Sequence, residues 1–408
     1  MKTAQLTASF PLELTVWCAI AMGIDIGVAR LTYGAVLPEI IRDLHLTYTS
    51  AGILGASNLA AYLLGNLVAP HLGRRFGMPR LAFFGHAAVG VGVAISGVAY
   101  EPTFLGVGRI LMGGGAGVGI VAMIVLLFEA APSQRHLTSP AIWAGIGLAA
   151  IATGLTLQYT LNGPGHWRYA FLGSAAVAVL LTFRFQPGAL RKMERKATAA
   201  ENVQKDALRT TGVLAWMPLF AAYFMFGVAY IAYATFVGAR LAAEGAPLSL
   251  ISANWNVLGI TVIIGCMGIS FLLSSSSALR PLALTLALVS GAAGCAVFGL
   301  PGFTTTLVAA GLVGLGLSAC PAVVAAYVRE RTTEASYPYF FSLATTVMGV
   351  GQLSGPVIAG ALADRFGPGS MPVFAAVSYG LGAGLAFLDA SGRGHLQQTK
   401  PAPVIGSN

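Results

Sequence analysis

Read from its N-terminus, the chain alternates long apolar runs with short polar breaks. The runs cover residues 14–38, 50–70, 81–99, 103–129, 140–160, 168–186, 213–238, 251–273, 282–300, 304–328, 339–361 and 372–390. A helix needs about 20 apolar residues to cross the hydrocarbon core of a bilayer. Each run meets or approaches that length, so the pattern predicts an all-α integral membrane protein with twelve spans. Gly and Pro inside the runs do not break it, because both are frequent in membrane helices.

Composition agrees with the pattern. Hydrophobic residues make up 56% of the chain and charged residues 9%. A soluble domain carries about 25% charge, so much of this surface must meet lipid. The net charge of +9 suggests nucleic acid only until the positions are considered. The basic residues lie in short breaks between apolar runs, as the positive-inside rule requires. With a cytoplasmic N-terminus, 17 of the 23 Lys and Arg fall in inside loops and tails. Four (Arg42, Arg168, Arg240 and Arg365) fall outside, and Arg30 and Arg109 lie within spans. Both termini are therefore expected in the cytoplasm.

The longest polar stretch, 187–212, contains Arg191-Lys192-Met193-Glu194-Arg195-Lys196 near the midpoint of the chain. It reads as a cytoplasmic linker between an N-terminal bundle, 1–186, and a C-terminal bundle, 213–390. Residues 391–408 read as a disordered cytoplasmic tail. The first run is too long for the apolar core of a cleavable signal. Cys18, Cys266, Cys295 and Cys320 all sit in apolar runs and form no CxxC pair, so they read as small core residues.

The two bundles repeat each other. Gly27-Val28-Ala29-Arg30-Leu31-Thr32-Tyr33 in span one aligns with Gly227-Val228-Ala229-Tyr230-Ile231-Ala232-Tyr233 in span seven. Gly145, Gly147 and Gly163-Pro164-Gly165 recur as Gly349, Gly351 and Gly367-Pro368-Gly369. Parallel six-helix repeats are a known transporter architecture. The Gly113-Gly114-Gly115 run lacks the Lys-Ser/Thr and the preceding strand of a phosphate loop. With no metal cluster and no nucleophile–base arrangement, neither an enzyme nor an ATP-driven pump is expected, and no cofactor.

Three further segments carry a resemblance. After span two, Gly73-Arg74-Arg75-Phe76-Gly77-Met78-Pro79-Arg80 is similar to the loop motif G-x-x-x-D-R-x-G-x-R, with Arg74 at the acidic position and Pro70 at the leading Gly. Span four has Arg109 followed by Gly113 and Gly115, as in R-x-x-x-G-x-G. Span eleven has Gly355-Pro356-Val357-Ile358-Ala359-Gly360, leading into Asp364-Arg365-Phe366-Gly367. Together these resemble the major facilitator superfamily. The stretch from Gly27 to Pro38 resembles the first-span signature of its YbfB/YjiJ-like branch. The resemblance implies twelve transmembrane helices in two pseudo-symmetric six-helix bundles, with spans one, four, seven and ten lining a central cavity. It implies a multi-pass protein of a bacterial inner membrane that works as a monomer. It also implies a gating role for Gly73, Arg74, Arg75, Gly77, Arg80, Asp364 and Arg365, without the acidic half of the first loop's charge relay.

Ionisable residues inside spans are costly and point to function. Arg30 stays charged at physiological pH and can hold a carboxylate bidentately. Its alternatives are a structural pairing or snorkelling to headgroups. Arg109 is expected at similar depth, so two cations facing one cavity would attract an anion; a structural role is the alternative. Asp25, five residues from Arg30, lies about 140° away on an α-helical wheel. It is expected either to exchange a proton or to form a static buried pair, in both cases beside Arg109. Tyr33, Tyr230 and Tyr233 either hydrogen-bond a polar substrate or pack between helices. Asn58, Tyr62, Asn66, His86, Asn254, Asn256 and Gln352 are weaker candidates.

The leading expectation is secondary active transport of a small organic anion by alternating access, coupled to protons. The second is a proton-driven exporter of hydrophobic or amphipathic compounds. The third, of another class, is a membrane sensor or channel.

Overall fold

A computed structural model describes residues 12–130, 135–184, 213–275, 282–333 and 336–398. Among them lie twelve long helices: α1 (Leu12–Asp43), α2 (Tyr48–Phe76), α3 (Met78–Gly97), α4 (Pro102–Ala130), α5 (Arg135–Thr160), α6 (Trp167–Arg184), α7 (Met217–Ala243), α8 (Leu248–Ser275), α9 (Ala283–Phe298), α10 (Phe303–Arg331), α11 (Tyr337–Phe366) and α12 (Ser370–Gln398). Ten contain stretches long and apolar enough to cross a membrane, and the apolar parts of α6 and α9 are shorter.

Local chemistry sets several boundaries. Thr47 caps α2, its hydroxyl accepting from the Ser50 amide at 3.1 Å. Gly77, at φ 84°, ends α2, and Pro79 then opens α3. The segment read as a loop after span two is thus a single residue: α2 itself runs through Gly73, Arg74, Arg75 and Phe76. Gly367, at φ 85°, makes the same turn after α11.

Helix α1 is irregular. Its middle, Gly23–Thr32, is a π-helix, a form mostly seen as single turns and frequent at functional sites. No feature of the sequence explains its length. Helix α1 also runs to Asp43, so Arg30 lies thirteen residues, about 20 Å of helix, from its end. Snorkelling to that end is out of reach.

Helices α1–α6 and α7–α12 form two bundles of matching connectivity: α1 packs on α5 as α7 packs on α11. The bundles join through α1 with α7, α2 with α11, and α5 with α8. Backbone meets backbone at this seam. Gly34 faces the Ala234 carbonyl, Gly52 that of Pro356, and Gly360 that of Tyr48. These three contacts lie toward the end of the bundle that carries the α1–α2 and α11–α12 turns.

Two boundaries differ from expectation. Helix α12 continues through Gln398, past the end expected at 390. Arg240, counted with the outer loops, is buried within α7, where it donates to the Phe298 carbonyl and pairs with Glu244 at 2.9 Å. The 187–212 linker and residues 399–408 lie outside the described residues.

Candidate functional site

Arg30 projects from the π-helical part of α1 into the seam between bundles and is 7% exposed. Its Nη1 donates to the Tyr230 hydroxyl of α7 at 3.2 Å. Its guanidinium carbon lies 4.5 Å from the centre of the Tyr62 ring of α2, a cation–π contact. Neither Nε nor Nη2 has a hydrogen-bond partner among the described residues, although both atoms are shielded from solvent. Unpaired buried donors on a charged group are costly.

Tyr230 is fixed from its own bundle. The amide nitrogen of Gln352 on α11 donates to the Tyr230 hydroxyl and lies 2.9 Å from the Met348 sulfur. A thioether sulfur only accepts, which sets the amide with its NH2 toward both groups. The Tyr230 ring stacks on Phe226 at 4.9 Å, and Phe226 on Tyr223 at 5.7 Å. Gln352 and Tyr62, weak candidates in the sequence, therefore join Arg30 and Tyr230 at one point. Phe226 and Met348 were not legible as site residues; only their spacing of four from Tyr230 and Gln352 hinted at a shared face.

Arg109 takes the structural role that stood as the alternative to anion binding. Its Nε donates to the Leu54 carbonyl at 2.7 Å and its Nη1 to the Ala29 carbonyl at 3.0 Å. Its guanidinium carbon sits 3.8 Å from the centre of the Tyr33 ring. Asn58 completes the knot by donating to the Arg109 carbonyl at 2.9 Å. Arg109 thus stitches α4 to the backbones of α1 and α2. The Tyr33 hydroxyl is spent on the Ala51 carbonyl at 2.8 Å.

Asp25 is not paired with Arg109. It meets His86 of α3, whose Nδ1 lies 3.1 and 3.3 Å from the two carboxylate oxygens. Both residues are 2% exposed. The angle of 140° assumed an α-helix and does not hold across a π segment. Tyr233 donates to Asn254 at 3.3 Å and packs edge-on against Phe298, away from Arg30.

The gating candidates separate. Arg74, Arg75 and Arg80 are exposed. Asp364 caps the start of α2 across the seam, accepting from the Tyr48 amide at 2.9 Å, the Thr49 amide at 2.8 Å and the Thr49 hydroxyl at 2.6 Å. Arg365 lies over the Phe366 ring.

Two joined six-helix bundles with a buried cation at their seam define a secondary transporter of the major facilitator type. The family model described as "Uncharacterised MFS-type transporter YbfB" matches residues 20–388, and the chain belongs to that family. It is 23% identical over 370 residues to the "Uncharacterized MFS-type transporter YttB" of Bacillus subtilis, covering 85% of this chain and 88% of that one. It is 29% identical over 195 residues to the "2-nitroimidazole transporter" of Escherichia coli, covering 46% of this chain. It is 26% identical over 166 residues to the "Uncharacterized transporter YycB" of Bacillus subtilis, covering 40% of this chain. The matches span only 48% and 41% of those last two relatives. The fold is similar to that of the nucleoside transporter NupG, with a TM-score of 0.72 at 14% identity, over 94% of this chain and 98% of that one.

Proposed function

We propose that this transporter carries a small organic anion, monocarboxylate-like, and that Arg30 is the residue that holds it. One observation carries the reading: the Nε and Nη2 of Arg30 are buried, charged and without a partner among the described residues. Those two donors share one edge of the guanidinium, the geometry that a planar two-oxygen group matches. With Nη1 held by Tyr230, the edge is already oriented. A nitro group has the same planar two-oxygen shape, which fits the naming of one relative as a 2-nitroimidazole transporter. That name also favours part of the second reading, transport of a neutral compound.

The carrier sits in an inner membrane with both termini cytoplasmic, on the strength of the Lys and Arg distribution. The Gly34, Gly52 and Gly360 contacts then close the outer side. Asp25 and His86 form the proton site. A carboxylate and an imidazole in contact, buried within the membrane, can exchange a proton when a helix shift alters their distance.

The test is uptake of labelled carboxylates and of 2-nitroimidazole into proteoliposomes. Arg30→Gln removes carboxylate uptake and Arg30→Lys, which loses the fork, cuts it strongly. Full carboxylate transport by folded Arg30→Gln protein refutes the reading. Uptake of 2-nitroimidazole without any carboxylate supports the neutral-compound alternative.

A further inference from the structure

We infer that the Arg30 site selects flat, conjugated carboxylates, an aromatic or heteroaromatic ring bearing its acid group directly, over saturated acids of equal size. The inference rests on the anion reading above and adds a shape to it.

A carboxylate held by Nε and Nη2 lies in the plane of the guanidinium, because fork and carboxylate are both planar and their two hydrogen bonds run parallel. Tyr62 already lies against one face of that guanidinium, 4.5 Å from its carbon. A group that continues the guanidinium plane continues along the same aromatic surface. An aryl ring joined directly to its carboxylate keeps that plane. A saturated ring is puckered and pushes hydrogens out of it, toward Tyr62.

The other bundle holds the guanidinium from the far side. Tyr230 meets Nη1 of Arg30 through its hydroxyl and is itself stacked on Phe226, and Phe226 on Tyr223, with interplanar angles of 24° and 11°. The open edge is thus oriented from α7, and the aromatic face beside it is that of Tyr62 on α2, a surface that a π-ring matches by offset stacking.

The polar groups set the sign. Arg30 Nε and Nη2 are two donors on one edge of the guanidinium with no partner among the described residues, while Tyr230 holds Nη1 on the opposite side, so a ligand on that edge must supply acceptors. A carboxylate does so, whereas an amide or alcohol brings hydrogens that find no acceptor among these groups.

The experiment titrates the purified full chain in nanodiscs with benzoate, cyclohexanecarboxylate, benzamide and acetate, read by calorimetry and thermal shift. Benzoate is expected to bind about tenfold tighter than cyclohexanecarboxylate, the worth of one good aromatic contact. Benzamide is expected not to compete. Tyr62→Leu collapses the ratio of benzoate to cyclohexanecarboxylate affinity, whereas Tyr62→Phe keeps that ratio and controls for folding. Equal or tighter binding of cyclohexanecarboxylate overturns the shape inference and leaves the anion reading standing, provided Arg30→Gln abolishes both. A protein that binds none of the three carboxylates overturns both.

Discussion

At Gly34 the seam is closed by the absence of a side chain. A Cβ built there falls about 1 Å inside the 3.0 Å limit that real Cβ contacts do not cross, against the backbone carbonyl oxygen of Ala234. A carbonyl within a helix cannot rotate away, so Gly34→Ala must separate α1 from α7. Overpacking of this kind costs about 1–3 kcal/mol. The cost falls only on the conformation in which the two helices touch. The population should therefore move about 5- to 150-fold toward the conformation open at this end. Thr235 reports it: it is 3% exposed, and its side chain sits against Gly55 across the seam. The four native cysteines are buried, so a maleimide added to Thr235→Cys protein reads mainly the new thiol. Labelling should be slow in Thr235→Cys and faster by at least fivefold when Gly34→Ala is added. Gly52→Ala, which meets the Pro356 carbonyl at the same end, should act in the same direction. Unchanged labelling in a monodisperse Gly34→Ala protein refutes the view that these glycines hold the end shut.

Three further outcomes follow from named contacts. Asp364→Ala removes the acceptor of three hydrogen bonds at the start of α2; a lost cap costs about 1 kcal/mol, so the thiol reporter should label about fivefold faster. Arg109→Gln removes two charge-assisted hydrogen bonds, to the Leu54 and Ala29 carbonyls, worth about 1.5–3 kcal/mol each; the melting temperature should fall, while the affinity of the remaining folded protein for its anion changes little, as shown by calorimetry on the stable fraction. Asp25→Asn breaks the His86 pair and should abolish accumulation driven by a pH gradient while sparing exchange of labelled for unlabelled substrate; retained gradient-driven accumulation excludes Asp25 from coupling.

The fold was legible because its causes are periodic and cumulative. Twelve apolar runs, the one-sided distribution of Lys and Arg, and the matched segments around Arg30 and Tyr230 each recur often enough to be read without neighbours. The site was legible only in part. Arg30 and Tyr230 stood out, one as a charge where charge is costly, the other as its counterpart in the second half. Their contact was not legible, since it spans 200 residues. Arg109 misled for a physical reason: a buried guanidinium and a ligand-binding one look alike in sequence, and only the Leu54 and Ala29 carbonyls separate them. Asp25 misled because the π-helix over Gly23–Thr32 changes the angular spacing, and the sequence gives no sign of it. Asp364 belonged to a recognisable Asp-Arg-x-Gly turn, but its partner, the first turn of α2, is over 300 residues away.

The placement of Tyr230 bears on how binding and movement are linked. A ligand changes a conformational equilibrium only through a difference in affinity between the states. Arg30 belongs to one bundle, whereas Tyr230 and Gln352 belong to the other. The guanidinium is held in this orientation only while the bundles are together at this depth. A rotation that separates α1 from α7 takes the phenol away from Nη1 and frees the guanidinium to turn. An anion seated on Nε and Nη2 needs that orientation, so it binds the closed seam more tightly than the open one. Hydrogen bonds to charged groups are worth about 1.5–3 kcal/mol, enough to change the closed-to-open ratio by one to two orders of magnitude. Tyr230→Phe separates this linkage from simple affinity. It removes the bridging oxygen and leaves the ring stack with Phe226 in place. Ligand should then still bind through Arg30, more weakly, and should no longer slow labelling of the thiol at position 235; full protection by ligand in Tyr230→Phe places the linkage elsewhere.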